Sequence, residues 1–173
     1  MHKTIQLYFF TSTILNWIPI LRNDNNKEII TSSLKFLRNS NKIKVFAFVI
    51  MPNHIHIVWE IDELYKYSDI VRDFKKFTAQ KIKEDLKKNY PELLQKFYIE
   101  SKDRTFQLWK RNSLSIPIIS KKVMVQKINY IHENPLKPKW KLAVEPQEYK
   151  YSSASFYYED IDKFNFLERY PGI

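Results

Sequence analysis

The stretch KIKVFAFVIMPNHIHIVWEI, residues 42–61, decides the fold. Two runs of apolar, β-branched and aromatic residues flank Met51-Pro52-Asn53, and proline and asparagine favour tight turns. This pattern predicts a β-hairpin in which residues 44–50 pair with residues 54–61. Because successive side chains of a strand point to opposite faces, His54 and His56 share one face while the isoleucines between them enter the core.

The segments around this hairpin predict the rest of the sheet and its helices. We expect a strand at residues 5–15, a helix at 27–40, a helix from Ser68, an edge strand at 113–119 and a helix at 121–134. Ser68 or Asp69 is the expected N-cap of the second helix and Ser120 that of the third, which Pro135 should end. The order β-α-β-β-α-β is that of an α+β, ferredoxin-like antiparallel sheet with helices packed on one face. The other face would then be open to a ligand. We expect residues 1–173 to form a single domain, with the tail, about 142–173, packed on it or extending from it.

The composition excludes several classes of protein. The chain has no cysteine, which rules out disulfides, thiolate metal sites and a cysteine nucleophile. Its hydrophobic content of 44% is too high for a disordered chain. No apolar run approaches the length of a membrane span, so we expect a soluble cytoplasmic protein.

Positive charge is concentrated in the second half of the chain. The formal net charge is +10, and residues 66–141 hold 19 of the 29 basic residues but 8 of the 19 acidic ones. Such a field attracts polyanions, of which nucleic acid is the commonest. A lysine-rich and asparagine-rich background is the alternative explanation.

The histidine pair is a candidate metal site. Two of the four histidines are separated by one residue on the same strand face, and their imidazole nitrogens suit a divalent metal. The alternative is a polar outer face on a half-buried strand.

Tyr130 and Asn134 lie one turn apart on the last helix, with Lys127 one turn earlier. A phenol becomes a nucleophile once deprotonated, and a neighbouring lysine or a metal eases that step. With 11 tyrosines present, a structural role for Tyr130 is the stronger reading of this residue taken alone.

These motifs resemble a known family. FVIMPNHIHIVWE is similar to the histidine-hydrophobic-histidine motif of the HUH single-tyrosine transposases, in the form found in REP-associated tyrosine transposases of the IS200-like superfamily. YIHENPLKP and EPQEYKYSSASFYY resemble the tyrosine helix and tail of that family, and IVRDFKKFTAQKI and FQLWKRN resemble two further segments. The resemblance runs from about Ile5 to Tyr158. The chain departs from it at residues 113–115 and in the polar loop after Trp17.

The resemblance implies a site and a reaction. His54 and His56 would be metal ligands, Asn134 would complete the metal site, and Tyr130 would be the nucleophile. Mg²⁺ or Mn²⁺ would bind the scissile phosphate, and tyrosine would attack single-stranded DNA to leave a 5′-phosphotyrosine and a free 3′-OH. The target would be a hairpin-bearing repeat, in a cytoplasmic, nucleoid-associated bacterial protein. Relatives act as monomers or as homodimers with exchanged tyrosine helices, and both arrangements stay open here.

Basic and aromatic side chains supply candidate DNA contacts. The basic candidates are Lys75, Lys76, Lys83, Lys110, Arg111, Lys127 and Lys137. The aromatic candidates near lysines are Trp109, Trp140, Tyr149, Tyr151, Tyr157 and Tyr158. Exposed rings beside basic residues stack unpaired bases, although most aromatic residues of a globular protein belong to its core.

Two other functions remain compatible with the sequence. One is a binding module of the same fold that holds DNA hairpins without cutting them. The other is a metal-dependent phosphodiesterase that uses water as its nucleophile. A covalent protein–DNA adduct distinguishes the proposed enzyme from both.

Overall fold

The β-hairpin forms as predicted and is one residue longer at each end of its first strand. The structure, a computed structural model, describes residues 6–173, so the predicted strand residue Ile5 lies outside the described residues. The strands are β1 (Gln6–Thr13), β2 (Ile43–Met51), β3 (His54–Ile61) and β4 (Leu114–Pro117). The helices are α1 (Asp24–Asn39), α2 (Tyr67–Asn89), α3 (Pro91–Leu94), α4 (Lys121–Glu133) and α5 (Ala154–Glu159). Short 3₁₀ turns include Leu15–Trp17 and Asn134–Leu136.

The described strands form one antiparallel sheet in the order β2-β3-β1-β4. Strand β3 lies between β1 and β2, which α1 connects, so the sheet has the split β-α-β arrangement of a ferredoxin-like fold. The predicted α+β fold class is confirmed. Strand β4 is at an edge, as Pro117 requires, because proline lacks a donor for a further strand.

Helices pack on both faces of the sheet, which corrects the prediction that they cover only one. Helices α1 and α2 pack on the face that contains Phe10 and Trp59. Helix α4 packs its stripe of Met124, Ile128 and Ile131 on the opposite face. The near-continuous apolar run of β2 explains this, because a strand with both faces buried loses the alternation of polar residues. The supposedly open face is therefore where α4 meets the histidines.

Local signals at the helix ends were partly predictive. Ser120 caps α4 as expected, and its Oγ accepts a hydrogen bond from the Val123 amide at 3.2 Å. Helix α2 begins at Tyr67, and Lys66 occupies the cap position without a side-chain bond, so the predicted cap at Ser68 or Asp69 is wrong. Proline at position 135 ends α4 as predicted, and the chain continues into a 3₁₀ turn at Asn134.

The tail covers the free edge of β2. The amide of Ser153 donates to Phe48 O at 2.9 Å, and the amide of Glu168 donates to Val45 O at 2.9 Å. Tyr149 Oη donates to Ile50 O at 2.8 Å. An exposed strand edge is a template for aggregation, and these contacts remove it. In the part of the chain that the structure describes, no helix is long and apolar enough to cross a membrane.

Candidate active site

The two histidines of β3 project from one face of the sheet, as predicted. The centroids of the His54 and His56 rings are 4.8 Å apart and the rings are inclined at 75°. His56 is buried and His54 is half-buried. On the opposite face, Ile55 and Ile57 belong to the core beneath α1 and α2. The period of the strand therefore places both imidazoles where α4 crosses the sheet.

Each histidine has a hydrogen-bond partner at Nδ1, and this partner bears on which ring nitrogen can bind a ligand. Asn53 Nδ2 donates to Trp17 O at 3.2 Å, so its Oδ1 is the acceptor for His54 Nδ1–H at 2.8 Å. The Nδ1 of His56 lies 2.7 Å from Thr11 Oγ1. His56 Nε2 is buried and has no hydrogen-bond partner. Because an amide oxygen only accepts, His54 carries its proton on Nδ1 and presents the lone pair of Nε2. His56 presents the same lone pair when the Thr11 hydroxyl accepts from its Nδ1–H.

Both imidazoles are neutral over the physiological pH range. Burial lowers the pKa of His54 to about 4, and Lys139 and Lys137 act in the same direction. Burial lowers the pKa of His56 to about 3, with further contributions from His54, Lys137 and Lys127. Only a neutral imidazole binds a metal, so the site keeps the required protonation state without a bound cation.

Tyr130 lies beside the histidine pair in the same chain. Its ring centroid is 5.2 Å from that of His56 and 5.9 Å from that of Phe9. The side chain is 40% exposed, and Lys137 Nζ stands 4.0 Å from the ring centroid. Packing of the α4 stripe on the sheet sets this position, since Tyr130 is next to the buried Ile131. The site therefore combines an accessible phenol, an imidazole pair and a cation.

Asn134 lies one turn after Tyr130 and is buried. Its backbone keeps helical dihedral angles, so it shares the helix face of Tyr130. The 3₁₀ turn that it starts lies against β2, the partner strand of the histidines. The amide nitrogen Nδ2 has no hydrogen-bond partner. Because the two ends of an amide are exchangeable by rotation, this position can present an oxygen instead.

The donor set fits a divalent cation with open coordination positions. Among residues 6–173, no group of three or more histidine, cysteine or acidic side chains could hold a metal ion. The fold offers two neutral imidazoles on β3, with a buried, unpaired nitrogen on His56, and separately the Asn134 amide on the helix face that carries Tyr130. Such a set suits Mn²⁺ or Mg²⁺ only if ligand oxygens complete the coordination.

Six of the seven basic candidates separate into two places, and the seventh, Lys110, lies over the ring of Trp17. Lys127 and Lys137 belong to the candidate site: Lys127 Nζ is 4.8 Å from the ring centroid of Phe9, and Lys137 covers Tyr130. A groove of about 1240 Å³ runs along α2 and the segment before β4. Its basic lining residues are Arg72, Lys75, Lys76, Lys83, Arg104 and Arg111. We call this the α2 groove.

Within the α2 groove, two neighbouring lysines have different surroundings. Lys75 Nζ donates to Lys110 O at 2.8 Å, to Arg111 O at 3.3 Å and to Ser113 Oγ at 2.9 Å. Burial, followed by the nearby Arg104, lowers its pKa to about 8. Lys76 is exposed on the groove wall. Lys75 thus fixes the segment before β4, whereas Lys76 is available to an external anion.

Most of the aromatic candidates have structural partners. The indole of Trp109 is buried and donates to Thr78 Oγ1 at 3.0 Å. Tyr151 donates to Glu28 Oε1 at 2.8 Å, and Tyr157 donates to Phe46 O at 2.7 Å. Burial raises the pKa of Tyr149 and of Tyr151, which makes either a poor alternative nucleophile. Tyr158 is 57% exposed. The ring centroids of Trp140 and His54 are 5.7 Å apart.

Sequence reasoning missed the residues that orient the histidines. The sequence predicts only a turn role for Asn53, although its position beside His54 is a usable signal for a hydrogen-bond partner. Thr11 faces His56 because of the register between β1 and β3. Phe9 lies on β1 with Thr11, and its ring stacks on the His56 ring with 5.2 Å between the centroids. No sequence pattern specifies that register.

The fold and the site define a class of protein: a basic α+β protein with a tyrosine held against paired histidines. A profile of the family described as Transposase IS200 like matches residues 16–134. This is more than half of the chain, and the chain therefore belongs to the IS200-like transposase family. No curated protein matches it.

Solved structures that are similar to this chain include two transposases. One is described as a REP-associated tyrosine transposase bound to a REP hairpin, with a TM-score of 0.66 and 15% identity over 97% of this chain and 89% of that chain. It shares the fold. The other is described as a putative transposase from Deinococcus radiodurans, with a TM-score of 0.49 and 19% identity over 76% of this chain and 91% of that chain.

Proposed function

We propose that this protein is a metal-dependent single-tyrosine transposase that nicks and rejoins single-stranded DNA. The observation that carries the proposal is the contact of the Tyr130 ring with His56, whose buried Nε2 has no partner. A nucleophile and an unused metal-ligating nitrogen thus lie side by side. Membership of the IS200-like transposase family supports the same conclusion.

In the proposed reaction, the phenol oxygen of Tyr130 forms a bond to the scissile phosphorus while the bond from phosphorus to the 3′ oxygen breaks. The phenol proton leaves to solvent, and the departing 3′ oxygen takes up a proton. The products are a 5′-phosphotyrosine and a free 3′-OH. The phosphotyrosine is still a phosphodiester, so the free energy of the broken bond is retained. A 3′-OH can therefore attack the phosphotyrosine and join strands in the reverse step.

His54, His56 and Asn134 would hold the Mg²⁺ or Mn²⁺ ion. The bound cation would supply Lewis-acid stabilisation of the phosphoryl oxygens. Asn53 accepts from His54 Nδ1–H and so leaves the Nε2 lone pair of that ring for the cation. Thr11 would do the same for His56 by accepting from its Nδ1–H. Lys137, which stands over Tyr130, would bind the phosphate next to the phenol.

We propose hairpin DNA with a single-stranded flank as the substrate, which places the protein in the cytoplasm at the nucleoid. The structural relative is described as bound to a REP hairpin, and the α2 groove here is lined by five basic side chains besides Lys75, which is held by the segment before β4. A duplex stem would take its phosphate contacts from such a groove. The site itself needs an unpaired strand, because an attacking phenol must reach the phosphate.

Adduct formation tests the proposal. Wild-type protein with Mn²⁺ is incubated with labelled DNA hairpins that carry randomised single-stranded flanks, and label that co-migrates with protein on a denaturing gel is recovered and sequenced. We expect an adduct with wild type, none with Tyr130→Phe, and a normal yield with Tyr90→Phe, an exposed tyrosine at the end of α2. Cleavage without an adduct would indicate a water nucleophile, and binding without cleavage a silent module; both contradict the proposal.

A further inference from the structure

The turn after β1 holds a tryptophan in an unusual backbone conformation. Asn16 and Trp17 have φ angles of 53° and 55°, and neither is glycine. Two consecutive non-glycine residues with left-handed backbone angles raise the free energy of the folded state, and they persist only where surrounding contacts hold them. The Trp17 side chain is 61% exposed, so burial of the indole does not account for the conformation.

Hydrogen bonds attach this turn to the candidate active site. The amide of Trp17 donates to Ile14 O at 3.0 Å, and Trp17 O accepts from Asn53 Nδ2 at 3.2 Å. The oxygen of the same Asn53 side chain accepts from His54 at 2.8 Å. One amide therefore joins the strained turn to an imidazole of the site.

A cation lies over the same indole. Lys110 Nζ is 3.1 Å from the centroid of the Trp17 ring, which is a cation–π contact. The amide of Lys110 donates to Thr13 O at 2.8 Å, and Thr13 pairs with His54 in the sheet. With this contact in place, Trp17 remains 61% exposed. The segment that carries Lys110 continues directly into the wall of the α2 groove at Arg111.

We propose that Trp17 is a stacking site for one unpaired base of the DNA strand beside the scissile phosphate, with Lys110 contacting the phosphate of that nucleotide. This inference rests on the proposed function, since it assigns Trp17 to the substrate of that site. An aromatic platform with an adjacent cation is how proteins bind single strands without reading their sequence. The position between His54 and the α2 groove is where a strand would pass from a bound stem to the phenol.

Binding measurements with two probes test this site. The parent is Tyr130→Phe with Mn²⁺, so that no strand is cut. The probes are a hairpin with a short single-stranded extension and the same hairpin without it, taken from the adduct selection or, where no adduct forms, of arbitrary sequence. Trp17→Leu should weaken binding of the extended probe about tenfold and leave the blunt hairpin unchanged. Trp17→Phe, which keeps a ring, should lose much less.

The matched control is Phe36→Ala. Phe36 is 66% exposed on α1, near the end of the sheet opposite His54, and should leave both probes unaffected. Replacing single bases of the extension by abasic sites locates the stacked base: there, the abasic and Trp17→Leu effects should overlap instead of adding. 2-Aminopurine at the same position should be quenched by the parent, a readout that holds even where Trp17→Leu fails to fold.

The stacking site is overturned if Trp17→Leu weakens binding of both probes equally, or weakens binding of neither. It is also overturned if the parent protein leaves 2-aminopurine fluorescence unquenched at every position. The proposed function fails separately. A normal wild-type adduct without a Trp17-dependent preference for the extension rejects only the stacking site. A Trp17-dependent preference without any adduct supports the stacking site and rejects only the single-tyrosine reaction.

Discussion

The ring of Tyr130 stands at 75° to the ring of His56, with 5.2 Å between their centroids. Tyr130 belongs to α4, which follows the last strand in the sequence, and His56 belongs to the inner strand β3. Their contact depends on α4 crossing the face opposite to α1 and α2. The proposed chemistry is therefore a consequence of how the last long helix is packed.

Removal of a histidine ligand should abolish both metal binding and cleavage. His54→Ala or His56→Ala leaves one imidazole and one amide, too few to retain Mn²⁺ at ordinary concentrations. Asn134→Ala removes a weaker neutral donor, so some cleavage should remain and rise with added Mn²⁺. Titration of Mn²⁺ by electron paramagnetic resonance measures binding directly, beside adduct yield. Normal cleavage by His54→Ala in EDTA would mean that the pair is only a polar strand face.

The hydrogen bond between Thr11 and His56 should tune that metal site. Thr11→Val keeps the shape of the side chain but removes the partner of His56 Nδ1, and loss of such partners costs about 10- to 100-fold in metal affinity. Thr11→Ser keeps the hydroxyl and serves as the control. Mn²⁺ affinity and thermal stability are measured together. Equal Mn²⁺ affinity in the valine and serine variants would contradict an orienting role.

The histidine face was predictable because strand periodicity is a local property. The alternation across Ile55 and Ile57 was enough to place both imidazoles together, and the fold class followed from the order of the elements. The position of α4 was not predictable in this way. It depends on which sheet faces are apolar, and β2 is buried on both of its faces over most of its length.

Orientation of the site residues depends on contacts between distant segments. Thr11 reaches His56 only through the register of β1 on β3, and Trp17 reaches Asn53 only through a strained turn. The sequence likewise gave no means of distinguishing Lys75 from Lys76. Their difference arises because the segment before β4 folds back over one of them.

The active site should work within one chain. The structure brings Tyr130, His54 and His56 together without a second copy. A mixture of His54→Ala and Tyr130→Phe proteins should therefore form no more adduct than either protein alone. Adduct recovery to about a quarter of the wild-type yield, as random pairing of two chains would allow, would show instead that helix α4 is exchanged in a homodimer. Sedimentation of the mixture establishes the oligomeric state in the same samples.

The adjacent residues Lys75 and Lys76 should separate DNA binding from stability. Affinity for the DNA hairpin should fall with salt, with a log–log slope of about −0.9 for each stem phosphate contacted. Lys76→Gln should reduce the slope by about that amount and leave stability unchanged. Lys75→Gln removes the donor to two carbonyls and a hydroxyl, and should lower the free energy of unfolding by about 1–3 kcal/mol. The reverse pattern would exchange the two roles.

Acid should destabilise the fold partly through His132. This side chain is 1% exposed, its Nε2 lies 2.8 Å from Ser153 Oγ, and burial lowers its pKa to about 4. In the unfolded chain it takes up a proton near pH 6.5, so below that pH the unfolded state binds more protons than the folded state. Its contribution to stability is therefore complete above pH 6.5 and is lost as the pH falls towards 4.

His132→Gln tests this assignment, because glutamine can keep a hydrogen bond to Ser153 but does not titrate. Urea unfolding in EDTA between pH 5 and 6.5 should show a shallower dependence of the unfolding free energy on pH in the variant. The difference approaches about 1.4 kcal/mol per pH unit for one proton. His54 and His56 contribute with the same sign and remain in both proteins, so the subtraction isolates His132. Identical slopes would show that His132 is protonated equally in the folded and unfolded chains.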